Sequence, residues 1–217
     1  MNKQEKITHI ERFVREIHKD YDSGHDWWHL KRVRNMANYI NRVEKLADPF
    51  MVEVAALLHD SADSKFSGTD RENGLTLIGK FLDEHGMSDI KPGILEIIKK
   101  VSFSSNYKAD INDHLLMIIQ DADRIDAIGA IGVARAFNYG GYRNNKIYDP
   151  SNETDGRQPN PGQDKNPSTI RHFYDKLLVL KDLMNTAIGK QIAEERHVFL
   201  ETFLSHFYQE WNFPAVS

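Results

Sequence analysis

The stretch Trp27–Ile40, WWHLKRVRNMANYI, sets Leu30, Val33, Met36, Ala37 and Ile40 at spacings of three and four. That period gathers them on one face of an α-helix and leaves the polar residues on the other. Ile7, Ile10, Phe13, Val14 and Ile17 repeat the pattern upstream. Downstream, Pro49 is a first-turn proline for the helix of PFMVEVAALLH, with Val54, Ala55, Leu57 and Leu58. The spacing predicts further helices over Thr69–His85, Pro92–Val101, Asp113–Phe137, Ser168–Thr186 and Lys190–Trp211. Pro167-Ser168 marks a helix start. Alternating runs of Val, Ile and Thr are nearly absent, which argues against strands. The expected fold is all-α, with at least seven helices.

One stretch breaks the pattern. Asn138–Pro167 holds four of the seven prolines and four of the 13 glycines. It should not sustain a helix, and a connection of that length is a lid, a binding loop or disordered. The whole chain, 1–217, is expected to form one all-α domain. Its helical core covers about 20–137, the loop or lid 138–167, and C-terminal helices 168–212.

Composition removes several classes of function. Lys+Arg 28 against Asp+Glu 32 gives a net charge of −4, too balanced for a nucleic-acid arm or a membrane-binding patch. No apolar run approaches the roughly 20 residues of a membrane span. The first residues, MNKQEKITHIERF, have no apolar signal core. With Cys 0, disulfides, thiolate zinc sites and cysteine nucleophiles are excluded. A cytoplasmic location is the expectation.

The 10 histidines raise the question of what they bind. His29 lies in HDWWHLKRV, His59-Asp60 in ALLHDSADSKF, and Asp121, Asp123 and Asp126 in QDADRIDAIGAIG. Imidazole and carboxylate together suit a borderline divalent metal. Leu57 and Leu58 should bury the helix end that carries His59-Asp60, so its carboxylate must be paired or must coordinate something. Three acids in six residues of a core-bound helix repel one another unless a cation lies among them.

In order and spacing, His … His-Asp … Asp on successive helices resembles the HD-domain metal-dependent phosphohydrolases. The likeness extends from His29 to about Arg135, with similar helices to the C-terminus. It is nearest to small bacterial HD-domain proteins carrying HDWWH, LLHD, DADRxDAIGAIG and STIxHFYDKLL segments, some of them similar to nucleotide pyrophosphohydrolases. The resemblance implies a single HD-domain helical bundle with a long loop insertion. It implies His29, His59, Asp60 and one acid of DADRID as metal ligands. Ala122-Asp123-Arg124-Ile125 matches the family context of the last ligand, so Asp123 is chosen. Asp121 remains the alternative, or it hydrogen-bonds a ligand histidine from behind, and Asp126 is a further candidate for either role. The ion would be a single divalent metal, Mn²⁺ first, with Mg²⁺, Co²⁺, Ni²⁺ or Fe²⁺ also suited.

Asp63, at the family's HD-x-x-[DE] position, is implied as the general acid/base. Lys65 is a candidate phosphate clamp, as are Arg32, one turn beyond His29, and Arg124. His25 either lines the substrate pocket or caps a helix. HDWWH spaces two histidines like a zinc protease helix, but its second residue, Asp26, replaces the glutamate that chemistry needs. Trp27 and Trp28 either stack a base or anchor the core. Arg143 in the loop, and His172 with Lys176 in RHFYDKLL, either form solvated faces or contact substrate.

The expected activity is hydrolysis of a phosphate ester or phosphoanhydride, above all of a nucleoside or deoxynucleoside triphosphate to monophosphate and pyrophosphate. A phosphodiesterase or 5′-nucleotidase of the same class is the alternative. Outside enzymes, it is a nucleotide- or metal-sensing module. The partner would be a small phosphorylated molecule, not a membrane or a nucleic-acid duplex. Phe199, Leu200, Phe203, Leu204 and Phe207 either pack internally or form a homodimer seam.

Overall fold

The computed structural model describes residues 1–19, 26–62, 70–101, 112–151 and 168–213. Among them are the helices α1 (Lys3–Ile17), α2 (Trp27–Glu44), α3 (Pro49–Leu58), α4 (Arg71–Glu84), α5 (Lys91–Val101), α6 (His114–Asp126), α7 (Gly129–Tyr142), α8 (Thr169–Asp175) and α9 (Ala187–Trp211). A 3₁₀ helix, Leu177–Leu183, follows α8, and the described residues contain no strand. The all-α expectation holds.

Side-chain caps set most of the helix starts. Asn2 and Glu5 form a capping box at α1, while Asp26, Asp48, Asp70 and Ser168 accept the N3 amides of α2, α3, α4 and α8. Pro49 occupies the first turn of α3, as read from the sequence.

The chain divides into two compact units, Met1–Asp123 with Asn185–Gly189, and Arg124–Met184 with Lys190–Ser217. In the first, α3 is buried over its second half and at Val52: Val52, Val54, Ala55, Ala56, Leu57 and Leu58 are inaccessible. A run this apolar belongs in a core, and α1, α2 and α5 pack on it. The α2 stripe Leu30, Val33, Ala37 and Ile40 is likewise inaccessible. A short connection makes α2 and α3 a hairpin. The buried Asn41 side chain fixes it, accepting from the Leu46 and Ala47 amides and donating to Ala47 O. In a hairpin the start of one helix lies beside the end of the other, which brings together the regions of His29 and His59.

In the second unit, Phe137, Phe173, Phe203 and Phe207 form an aromatic chain with ring centroids 5.5–6.2 Å apart. At least part of the apolar face of α9 therefore packs internally.

Three boundaries differ from the sequence reading. The helix expected over 113–137 is two helices, broken at Ala127-Ile128, where Gly129 takes φ +75. The turn is closed by Arg196, which donates to Ile125 O at 2.6 Å and packs its side chain against Gly129. Helix α7 continues to Tyr142, through Gly140 and Gly141, into the stretch expected to be loop; glycine lowers helix propensity by only about 1 kcal/mol, which surrounding packing overrides. Residues 152–167 lie outside the described residues. The helix expected over 168–186 is α8 followed by the 3₁₀ turn.

Candidate metal centre

His29 enters the first turn of α2 with its amide donating to the N-cap Asp26 at 2.9 Å. Asp26 of HDWWH is thus a helix cap, which sets the backbone that carries His29. His59 directly follows the last residue of α3, and its Nδ1 donates to Ala56 O at 2.8 Å. That bond occupies Nδ1 and leaves Nε2 for another partner. Nε2 of His59 is buried and makes no hydrogen bond.

Two carboxylates face these rings. His29 Nε2 lies 3.3 Å from Asp60 Oδ2 and 3.6 Å from Asp123 Oδ1. His59 Nε2 lies 3.5 Å from Asp60 Oδ1 and 3.7 Å from Asp123 Oδ1. Donors bound to one cation at about 2.1 Å and tetrahedral or octahedral angles sit about 3.0–3.4 Å apart, close to the spacing seen. The side chains of both imidazoles are fully buried, while those of Asp60 and Asp123 keep 19% and 28% of their exposure, so the acids form the solvent side. His29, His59 and Asp123 could hold a metal ion, and Asp60 presents one oxygen to each histidine.

The electrostatics favour a cation. Burial pulls the His59 pKa down, but Asp60 and then Asp123 outweigh it and lift the group to about 9. Asp123 is raised by burial and lowered more by His59, and ends below its ordinary 3.8. The negative potential that holds a proton on His59 also draws a metal ion, and two neutral imidazoles with two carboxylates balance a divalent charge.

The turn that carries Asp60 is held on both sides. Ser61 donates its amide to Leu58 O at 3.0 Å, and its hydroxyl lies 3.3 Å from Nε2 of the buried His18. The backbone of Ala62 rests on Gly74 of α4, where a Cβ would come within 2.9 Å. His18 could not be read from spacing, because a lone histidine at a helix end shows no partner there.

The HD-domain family matches residues 27–128. Protein YpgQ of Bacillus subtilis (strain 168) is 36% identical over 208 residues, which is 94% of this chain and 93% of YpgQ. The chain belongs to the HD-domain family. A solved HD-superfamily hydrolase of Bacillus thuringiensis is 39% identical, with a TM-score of 0.76 over 98% of this chain and 100% of that one. A structure of YpgQ in complex with ADP is 35% identical, with a TM-score of 0.76 over 95% of this chain and 98% of the other. This HD-domain protein is, accordingly, a metal-dependent hydrolase. No helix among its described residues is long and apolar enough to cross a membrane.

The acids of the QDADRID segment of this HD-domain chain have three different partners. Only Asp123 faces the histidines. Asp121 is buried, its carboxylate accepting from Asn185 and Thr186 at 2.7–3.1 Å. Asp126 pairs with Arg135 at 2.8 Å. The expectation that mutual repulsion requires a cation among all three is therefore corrected: two of them have donors of their own.

Arg32 is half-buried on α2, one turn beyond His29. Arg124 donates from Nη1 to Leu183 O at 2.5 Å. Arg143 is exposed at the end of α7, and His172 and Lys176 are half-buried at α8. Burial first, then Lys176, pushes the His172 pKa below 6.5. Trp27 packs in the core under Arg15, whose guanidinium sits 3.9 Å from the ring centroid, whereas Trp28 is exposed. His25, Asp63 and Lys65 lie outside the described residues.

Proposed function

We propose that this protein is a phosphohydrolase acting on nucleotides, most specifically one that cleaves a nucleoside or deoxynucleoside triphosphate to monophosphate and pyrophosphate. The observation that carries the hydrolytic centre is the buried Nε2 of His59, turned by its Nδ1 bond toward Asp60 and Asp123. Nucleotide as the substrate class is supported by the relative YpgQ, whose structure is a complex with ADP.

His29, His59, Asp60 and Asp123 would hold one divalent ion, with Mn²⁺ the ion we assign. When bound, such an ion lowers the pKa of a water and offsets charge on phosphoryl oxygens. The protein's own part is to aim the buried Nε2 of His59 at the carboxylates through its Nδ1 bond, and to keep the carboxylate side open to solvent. Asp63, three residues beyond Asp60, takes the role of moving the proton of the attacking water or the leaving group. Arg32 and Lys65 are the cations assigned to the phosphates, and His25 to the substrate pocket.

A product assay tests the reading. With Mn²⁺ present, deoxynucleoside triphosphates should release pyrophosphate. Inorganic phosphate from nucleoside monophosphates, or ring opening of cyclic nucleotides, without any pyrophosphate would replace it with the nucleotidase or phosphodiesterase reading.

A further inference from the structure

We propose that Asn185–Gly189 is a strap that positions the metal ligands, and that Asp121 is the positioning residue through which it acts on Asp123. The inference rests on the metal-centre reading above and concerns what holds that centre in shape.

Asp121 and Asp123 are two residues apart on α6, so their side chains leave the helix about 200° apart. Asp123 faces His29 and His59, while Asp121 faces the opposite way into buried surroundings. There it meets four donors from two consecutive residues. Asn185 gives its amide to Oδ1 at 2.8 Å and its side-chain nitrogen to the same oxygen at 2.9 Å. Thr186 gives its amide and its hydroxyl to Oδ2, each at 2.7 Å. These residues are 64 and 65 positions away along the chain.

The strap is stiffened from within. Thr186 Oγ1 also accepts from the Gly189 amide at 3.0 Å, closing the first turn of α9. Gly189 has no room for a side chain: a Cβ would lie 2.4 Å from Asp121 Oδ2 and 2.5 Å from Thr186 Oγ1. The amide of Ile188 donates to Glu44 Oε1 at 2.7 Å. Glu44 is the last residue of α2, whose first turn carries His29. One five-residue segment therefore ties together the two helices that supply His29 and Asp123. Ligand atoms only 3.3–3.7 Å apart need their supporting backbones held to within about half an ångström.

Titration with Co²⁺ tests this, read by affinity and by the visible absorption of the bound ion, well below the unfolding midpoint. Thr186→Val keeps the shape and removes the hydroxyl donor. It should weaken Co²⁺ binding about tenfold and alter the absorption band, the size of effect typical of groups supporting a ligand. Thr186→Ser should restore both to within about twofold. Glu44→Gln, at the other tie, should also weaken binding and is available if Thr186→Val does not fold. The proposal is overturned if whichever of these variants folds binds Co²⁺ like wild type with an unchanged band, whatever its melting temperature. Failure of the metal reading itself looks different: wild type would bind no Co²⁺ saturably, or His59→Ala would bind it equally well.

Discussion

Gly74 and Gly79 lie in the same helix, α4, and alanine should act on them with opposite signs. In a helix interior, replacing glycine by alanine ordinarily gains about 1 kcal/mol, because the backbone loses less freedom. At Gly79 a new Cβ would meet Leu95 Cδ1 at 3.6 Å and Lys91 Cδ at 3.7 Å, ordinary contacts with side-chain ends. The full gain should appear there. At Gly74 the Cβ would lie 2.9 Å from both Cα and O of Ala62. Carbon contacts are optimal at about 3.5–4.0 Å, so the helix and the Ala62 backbone must part by roughly half an ångström or more. Overpacking of this kind costs about 1–3 kcal/mol, and backbone cannot rotate out of the way as a side chain can. The clash should win by about 1 kcal/mol, leaving the two variants about 2 kcal/mol apart on either side of wild type. Urea unfolding with unchanged slopes measures this directly. Ala62 is two residues beyond Asp60, so Gly74→Ala should also weaken metal binding, and Gly79→Ala should not. A Gly74→Ala protein as stable as wild type, or more so, would show that no such clash exists.

Other outcomes follow from the centre and its surroundings. Mn²⁺ at about 100 times its dissociation constant should add about 2.7 kcal/mol of stability, which calorimetry with and without chelator would show and His59→Ala should abolish. Asp63→Asn should keep the metal and lose turnover, whereas His59→Ala should lose both; metal analysis beside a pyrophosphate assay separates them, and wild-type rates in both would rule out the site. Folded His172 resists protonation because its pKa lies below the ordinary 6.5. The unfolded chain then binds more protons, so this residue leaves stability intact above 6.5 and subtracts from it as pH falls below that value. His172→Gln should flatten the decline in urea midpoint between neutral and mildly acidic pH, and an unchanged slope would count against the assignment.

Local signals made much of this legible. The three- and four-residue spacing of Leu30, Val33, Ala37 and Ile40 names a buried helix face, because the geometry of a helix converts spacing into direction without reference to the rest of the chain. Aspartate before a helix and proline within its first turn act on the nearest amides, so Asp48 and Pro49 mark a start by themselves. His59-Asp60 after a fully apolar helix shows a polar pair that burial forbids unless it is satisfied.

The all-α class, most of the helix starts and the residue types able to hold a metal follow from neighbours along the chain. How the three acids of QDADRID divide depends on folding. Asp123 faces His29 and His59, Asp121 caps a segment 65 residues away, and Asp126 pairs with Arg135. Folding also decided that His18 would meet Ser61 and that α6 would stop before Gly129. The physical reason is range. Periodicity and capping act within a few residues, whereas the partner of a buried polar group is whichever donor the folded chain brings to it.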